Sequence, residues 1–252
     1  MSESASSSAS TTPSSSSSSS STLGSADARH PLDVFRFVKS TVLLLVRTVS
    51  VLGCFALATS IATRNGAVAG ATHQICIQIW LATSLTADAV AVGAQTLLAR
   101  AIGSGDTTQA NEIVRIAQQF SLLLGVGLTL VMAFATATNL LPVLFTLDPA
   151  TRSMVRWLLP VVAGTQLLNA LAFTWDGILF GVNGFKYSPL LMALSAGPAL
   201  LLMSTALETS SVTSALTITW SGLALLMLLR FLTIYTLYLV RLGPFRTLYP
   251  GS

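Results

Sequence analysis

From residue 34 to residue 240 the chain repeats one pattern, a long apolar run closed by a short polar or glycine-containing break. Six such runs cover 34–62, 68–102, 113–145, 154–182, 187–207 and 214–240, and breaks such as Arg64-Asn65-Gly66, Asp148-Pro149 and Asn183-Gly184 separate them. A membrane-spanning helix needs about 20 predominantly apolar residues. Each run therefore predicts a transmembrane helix, and several are long enough to tilt or protrude. Pro160, Pro189 and Pro198 fall in or near these runs, where neighbouring helices can accommodate the kinks they cause. The pattern predicts an all-α integral membrane protein with a six-transmembrane-helix bundle over 31–246. A tail over 1–30 precedes it and a short tail over 247–252 follows.

The polar positions inside the runs are not scattered. Gln74, Gln78, Leu81, Leu85, Asp88, Val92 and Gln95 follow alternating steps of four and three, which places them on one helix face. Gln166, Asn169, Phe173, Asp176, Phe180 and Asn183 repeat the pattern in the fourth run, and Ser40, Leu43, Arg47, Ser50 and Cys54 form a weaker version in the first. Three helices with polar faces predict a shared central cavity. A charge at the bilayer centre costs about 3 kcal/mol on insertion scales, so Arg47, Asp88, Asp176 and Arg230 should face protein or water. Asp176 and Asp88 are the candidate cation- or proton-binding groups. Gln74, Gln78, Gln95, Gln166, Asn169 and Arg47 are the candidate cavity lining. The alternative for the amides is hydrogen-bonding glue between helices, and for Asp88 it is an ion pair with Arg47. No basic residue lies between Trp157 and Lys186, so a buried Asp176 needs a proton, a bound ion or an arginine from elsewhere.

Composition agrees with the membrane reading. Hydrophobic residues make up 52% of the chain and charged residues 9%, against about 25% charged in soluble domains. Residues 4–21 are almost all serine and cannot bury apolar surface, which predicts disorder. The net charge of +4 is spread singly over helix ends, which argues against a nucleic-acid partner. Cys54 and Cys76 have no metal or disulfide spacing. No nucleophile, metal-protease or phosphate-loop motif occurs, so an enzyme is not expected. Arg29, Arg36, Lys39, Arg100, Arg115, Lys186, Arg241 and Arg246 fall on one side of the predicted topology, and Arg64, Arg152 and Arg156 on the other. That bias predicts both termini in the cytoplasm.

The runs LLVRTVSVLGCFALATSIATR (44–64), HQICIQIWLATSLTADAVAVGAQTLLA (73–99), LPVVAGTQLLNALAFTWDGILFG (159–181) and LTITWSGLALLMLLR (216–230) resemble the MATE (multidrug and toxic compound extrusion) transporters. The closest likeness is to the plant branch, which includes citrate-efflux and chloroplast-envelope members. The resemblance implies one lobe, helices seven to twelve, of a twelve-helix fold. It implies a secondary active antiporter that exports organic anions, organic cations or xenobiotics in exchange for protons or sodium, with no other cofactor. It matches Asp176 to a tenth-helix acid implicated in cation coupling and Asp88 to an eighth-helix acid of the plant branch. The seventh-helix glutamate of bacterial relatives has no counterpart here, since the first run carries Arg47 instead. Gly184 stands where the plant branch usually has aspartate. The implied partners are the lipid bilayer, a small organic substrate, and a missing N-terminal lobe or a second copy. The implied membrane is the plasma membrane or the plastid envelope. A non-transporting half and a lipid-flippase-like transporter are the alternative readings.

Overall fold

The computed structural model describes residues 31–249, so the serine-rich tail expected over 1–30 and residues 250–252 lie outside the described residues. The described residues divide at Phe37: those up to it belong to one unit, and Val38 onward to a second. The described residues of the first unit are helical.

Helices account for nearly all described residues, and no strand occurs among them. They are α1 (Pro31–Arg64), α2 (Ala67–Gly103), α3 (Thr107–Ala137), α4 (Leu140–Phe145), α5 (Pro149–Gly164), α6 (Gln166–Gly181), α7 (Ser188–Ser204) and α8 (Val212–Leu239). Short 3₁₀ turns follow at Thr205–Glu208 and Gly243–Leu248. Five of the helices are long and apolar enough to cross a membrane, and the bent pair α5–α6 makes a sixth span. The six-span bundle expected from the sequence is therefore present, with two runs broken where continuous helices were expected.

The third run breaks after Ala137. Asn139 adopts a left-handed conformation at φ 56°, which asparagine tolerates better than most residues. A separate turn of helix, α4, then carries the chain to Phe145. The fourth run bends by 44° between Gly164 and Gln166. Pro160 inside α5 has no N–H for the carbonyl one turn back. The Val162 carbonyl is then captured by the Thr165 N–H at 3.1 Å, the Thr165 hydroxyl at 2.7 Å and the Gln166 amide at 3.2 Å. Side chains that take over backbone acceptors in this way bend helices.

Helix α6 is the centre of the bundle, and small residues let its neighbours approach it. Gly177 and Gly181, four residues apart, face Ala91 and Leu98 of α2. A Cβ at Gly177 would collide with the Ala91 backbone, and one at Gly181 would stand 3.0 Å from the Leu98 Cβ. Gly125 of α3 meets the Leu167 backbone in the same manner, and Gly222 of α8 packs on Met203 of α7. Close backbone approach through small residues is how helices associate where lipid removes the hydrophobic drive between them. One core joins α1, α2, α5, α7 and α8 around Trp80, Leu158 and Trp220; a second joins α2, α3, α6 and α8 around Leu98, Trp175 and Phe245.

The two ends of the bundle are distinct. At one end Ala62, Ala69 and Leu216 cluster with Met154 and Val212. At the other, Asn111 of α3 donates to the Leu248 carbonyl at 3.0 Å, and Gly243 packs on Tyr187. Leu248 is buried there.

Candidate functional site

Three helices bring charges to one point. Asp176 lies midway along α6, whose flanking small residues draw it deep between α2 and α8. Its Oδ2 accepts from Arg47 Nη2 of α1 at 2.5 Å and from Arg230 Nε of α8 at 2.9 Å, with Arg230 Nη2 closing the pair. Asp176 and Arg230 are buried, at 5% and 6% exposure, whereas the Arg47 side chain is 23% exposed. Arg47 and Arg230 thus sit 129 and 54 residues from their shared acceptor. Each guanidinium also lies over an α6 ring, Arg47 over Phe180 at 5.2 Å and Arg230 over Phe173 at 4.8 Å. Such stacking holds the planar cation in place while its edge donates.

The cluster opens on a cavity of about 200 Å³ that Asp88 and Gln95 of α2 also line. Asp88 is exposed and forms no ion pair among the described residues. The alternative reading of Asp88, an ion pair with Arg47, is not what forms: Arg47 reaches Asp176. Asp88 instead joins Gln78, Leu81, Leu85 and Phe173 along a groove of about 570 Å³.

The remaining sequence candidates divide into two kinds. Gln166 and Asn169 are buried ties between α6 and α2: Thr83 donates to Gln166 Oε1 at 2.8 Å, and Asn169 Nδ2 donates to Ser84 Oγ at 2.7 Å. Both are glue rather than cavity lining. Gln74 and Gln78 are exposed, together with Leu81, Leu85, Asp88 and Val92. The α2 stripe therefore faces largely out of this bundle, and Asp88, Val92 and Gln95 are its members that line the charged cavity. Arg230, absent from the sequence candidates for the site, supplies its most buried cation. Its signal was present in the sequence: an arginine deep in an apolar span must meet an acceptor within the protein.

Outside the spans, Asp148 caps α5. Its Oδ2 accepts from the Thr151 N–H at 2.8 Å and the Thr151 hydroxyl at 2.6 Å. These hydrogen bonds, the hydroxyl's first, hold its pKa below the ordinary carboxylate value.

Fold and site together define an all-α, multi-pass membrane protein with a carboxylate locked between two arginines at its centre. The chain belongs to the MatE family, whose model matches residues 44–204. It is 37% identical to Protein DETOXIFICATION 44, chloroplastic, of Arabidopsis thaliana over 85% of this chain and 40% of that protein. It is 36% identical to Protein DETOXIFICATION 42 of the same plant over 79% of this chain and 38% of that protein. Among solved structures it resembles a MATE in complex with MaL6, with a TM-score of 0.73 and 18% identity, over 82% of this chain and 45% of that one. The chain spans about two fifths of the length of the curated relatives it matches.

Proposed function

We propose that this chain forms one lobe, the C-terminal one, of a secondary active efflux antiporter, and that rearrangement around Asp176 couples ion entry to solute export. The observation that carries this reading is the sharing of one buried carboxylate by Arg47 and Arg230. Arg47 and Arg230 balance Asp176 and Asp88 around the cavity, so a proton or sodium ion taken by Asp88 leaves the cavity with a net positive charge. That charge favours an organic anion as the exported solute, with its carboxylate competing with Asp176 for Arg47, the more exposed of the two arginines. Asp88, unpaired at the mouth, is the group placed to take a proton or sodium ion first. Proton or sodium binding at Asp176 itself requires Arg47 to leave, so ion and solute occupancy are linked through that one side chain. By the Lys/Arg bias of the helix ends, both termini face the cytoplasm. Two of the relatives are named chloroplastic, which supports the plastid envelope as the membrane.

The test is gradient-driven flux in proteoliposomes containing the complete two-lobe protein. Asp176→Asn keeps the side chain's size but removes its charge, and should abolish flux with insertion intact. Normal flux in that variant rules out the coupling role. Asp88→Asn should lower flux and weaken its dependence on pH or sodium; an unchanged dependence removes Asp88 from the ion path.

A second reading is a non-transporting half. The exposed α2 stripe favours it, since a polar face that no helix among the described residues covers leaves a transport path open to lipid. On both readings the 252-residue chain alone gives no coupled flux.

A further inference from the structure

We propose that the pocket at the end of α8, formed by Arg241, Arg246 and Tyr249, binds the phosphate headgroup of an anionic lipid. It goes beyond the transport reading and does not depend on it.

The pocket encloses about 390 Å³, and among the described residues no carboxylate lines it. It sits where the apolar α8 span stops at Leu239, which is headgroup depth in a bilayer. Backbone geometry there is unusual. The Leu242 N–H bonds the Leu237 carbonyl at 3.0 Å, and the Arg241 N–H bonds the Tyr238 carbonyl at 3.1 Å. That pairing is the Schellman helix ending, which demands a left-handed residue and strongly favours glycine or asparagine. The ends of α2 and α6 obey the preference with Gly105 and Asn183, but α8 places Arg241 there at φ 55°. A non-glycine residue held left-handed is strained, and such strain collects at functional positions.

The strain has a visible consequence. Arg241 is projected over the Tyr249 ring, 4.4 Å from its centroid. The 3₁₀ turn bearing Arg246 is anchored beside it by buried Phe245 and Leu248 and by the Asn111 hydrogen bond. Gly243, at φ 63°, packs so closely on Tyr187 that a Cβ would stand 3.1 Å from that ring. Lys186 brings a third cation over the same Tyr187 ring, 5.3 Å from its centroid. Among the described residues, two guanidiniums therefore line the pocket without an acid beside them. A phosphate diester at that depth can take bidentate hydrogen bonds from such groups while its acyl chains run along α8.

The test is lipid retention by the purified chain, read by native mass spectrometry with added phosphatidylglycerol or phosphatidylcholine. The native chain should retain phosphatidylglycerol selectively. Arg241→Gly and Arg246→Gln should each weaken retention by about fivefold, the worth of one interfacial cation. Because glycine relieves the left-handed strain, Arg241→Gly should unfold at a temperature no lower than the native chain, so lost lipid cannot be ascribed to lost fold. Arg246→Gln repeats the test at an unstrained position. Equal retention of phosphatidylcholine, or unchanged retention in both variants, overturns the proposal. Displacement of the lipid by excess inorganic phosphate overturns the lipid as the occupant and leaves a free-anion site.

Discussion

At the scale of single residues, the energetics of the site turn on which charge is left alone. Removing one member of a buried ion pair strands its partner, at a cost of about 3–5 kcal/mol, whereas replacing both members by apolar residues is often near neutral. Arg230→Met leaves Asp176 with Arg47 alone, so it should destabilise the protein by less than full stranding, about 2 kcal/mol. The double variant Arg230→Met with Asp176→Leu should recover part of that loss, though not all, because Arg47 then lacks its acceptor. Arg47→Gln should cost less, about 1 kcal/mol, since that side chain is partly exposed. Thermal unfolding in one detergent, run as a double-mutant cycle, measures all three; equal costs for Arg47 and Arg230 would contradict the burial argument. Asp148 gives a pH prediction. Its folded pKa lies below its ordinary value of 3.8. Its cap is therefore fully stabilising above that value and is lost as pH falls through the lower folded pKa. Asp148→Asn retains a good capping residue but does not titrate. It should flatten the acid limb of the stability profile, and an unchanged limb would show that the cap does not contribute to it.

At the scale of elements, the contacts of α6 decide whether the site exists. Gly177 has no room for a methyl group because Ala91 opposes it with backbone rather than a movable side chain. Gly177→Ala should force α2 and α6 apart and destabilise by about 1–3 kcal/mol. It should also widen the space between Asp176 and Asp88. Gly127 of α3 is the control, because a Cβ there meets nothing within 4 Å. Gly127→Ala should be neutral or stabilise by up to about 1 kcal/mol through helix propensity. Parallel melting curves test the pair, and similar effects at the two positions would show that the close α2–α6 approach is not what Gly177 provides.

At the scale of the whole molecule, the proposed six-span topology with both termini in the cytoplasm puts the α2–α3 break on the cytoplasmic side as well. A cysteine at Ser104 should react with an impermeant thiol reagent only from that side, the cytoplasmic one. Cys54 and Cys76 are both buried, so the native thiols should leave the background low. Labelling of the Ser104 position from the opposite side would invert the topology.

The sequence by itself determined the class of fold, the number of spans and the position of nearly every break. The reason is that hydropathy over a window of 20 residues and the punctuation of Gly, Asn, Asp and Pro act locally, on the residues that carry them. It also marked Arg47, Asp88 and Asp176 as functional candidates and Arg230 as a charge that must meet protein or water, because a charge within an apolar run is conspicuous without any partner. It did not say which charge meets which. The pairing of Asp176 with Arg47 and Arg230, rather than of Asp88 with Arg47, depends on how closely α6 lies against its neighbours. That distance is set by glycines opposite backbone on other helices. The 44° bend in the fourth run is of the same kind: Pro160 permits it, but the capture of the Val162 carbonyl by Thr165 and Gln166 fixes it. Likewise the alternation of polar residues along α2 was legible as a face, but whether that face looks inward or outward was not. Periodicity fixes which side chains share a helix face; only the packing of the other helices determines what that face meets.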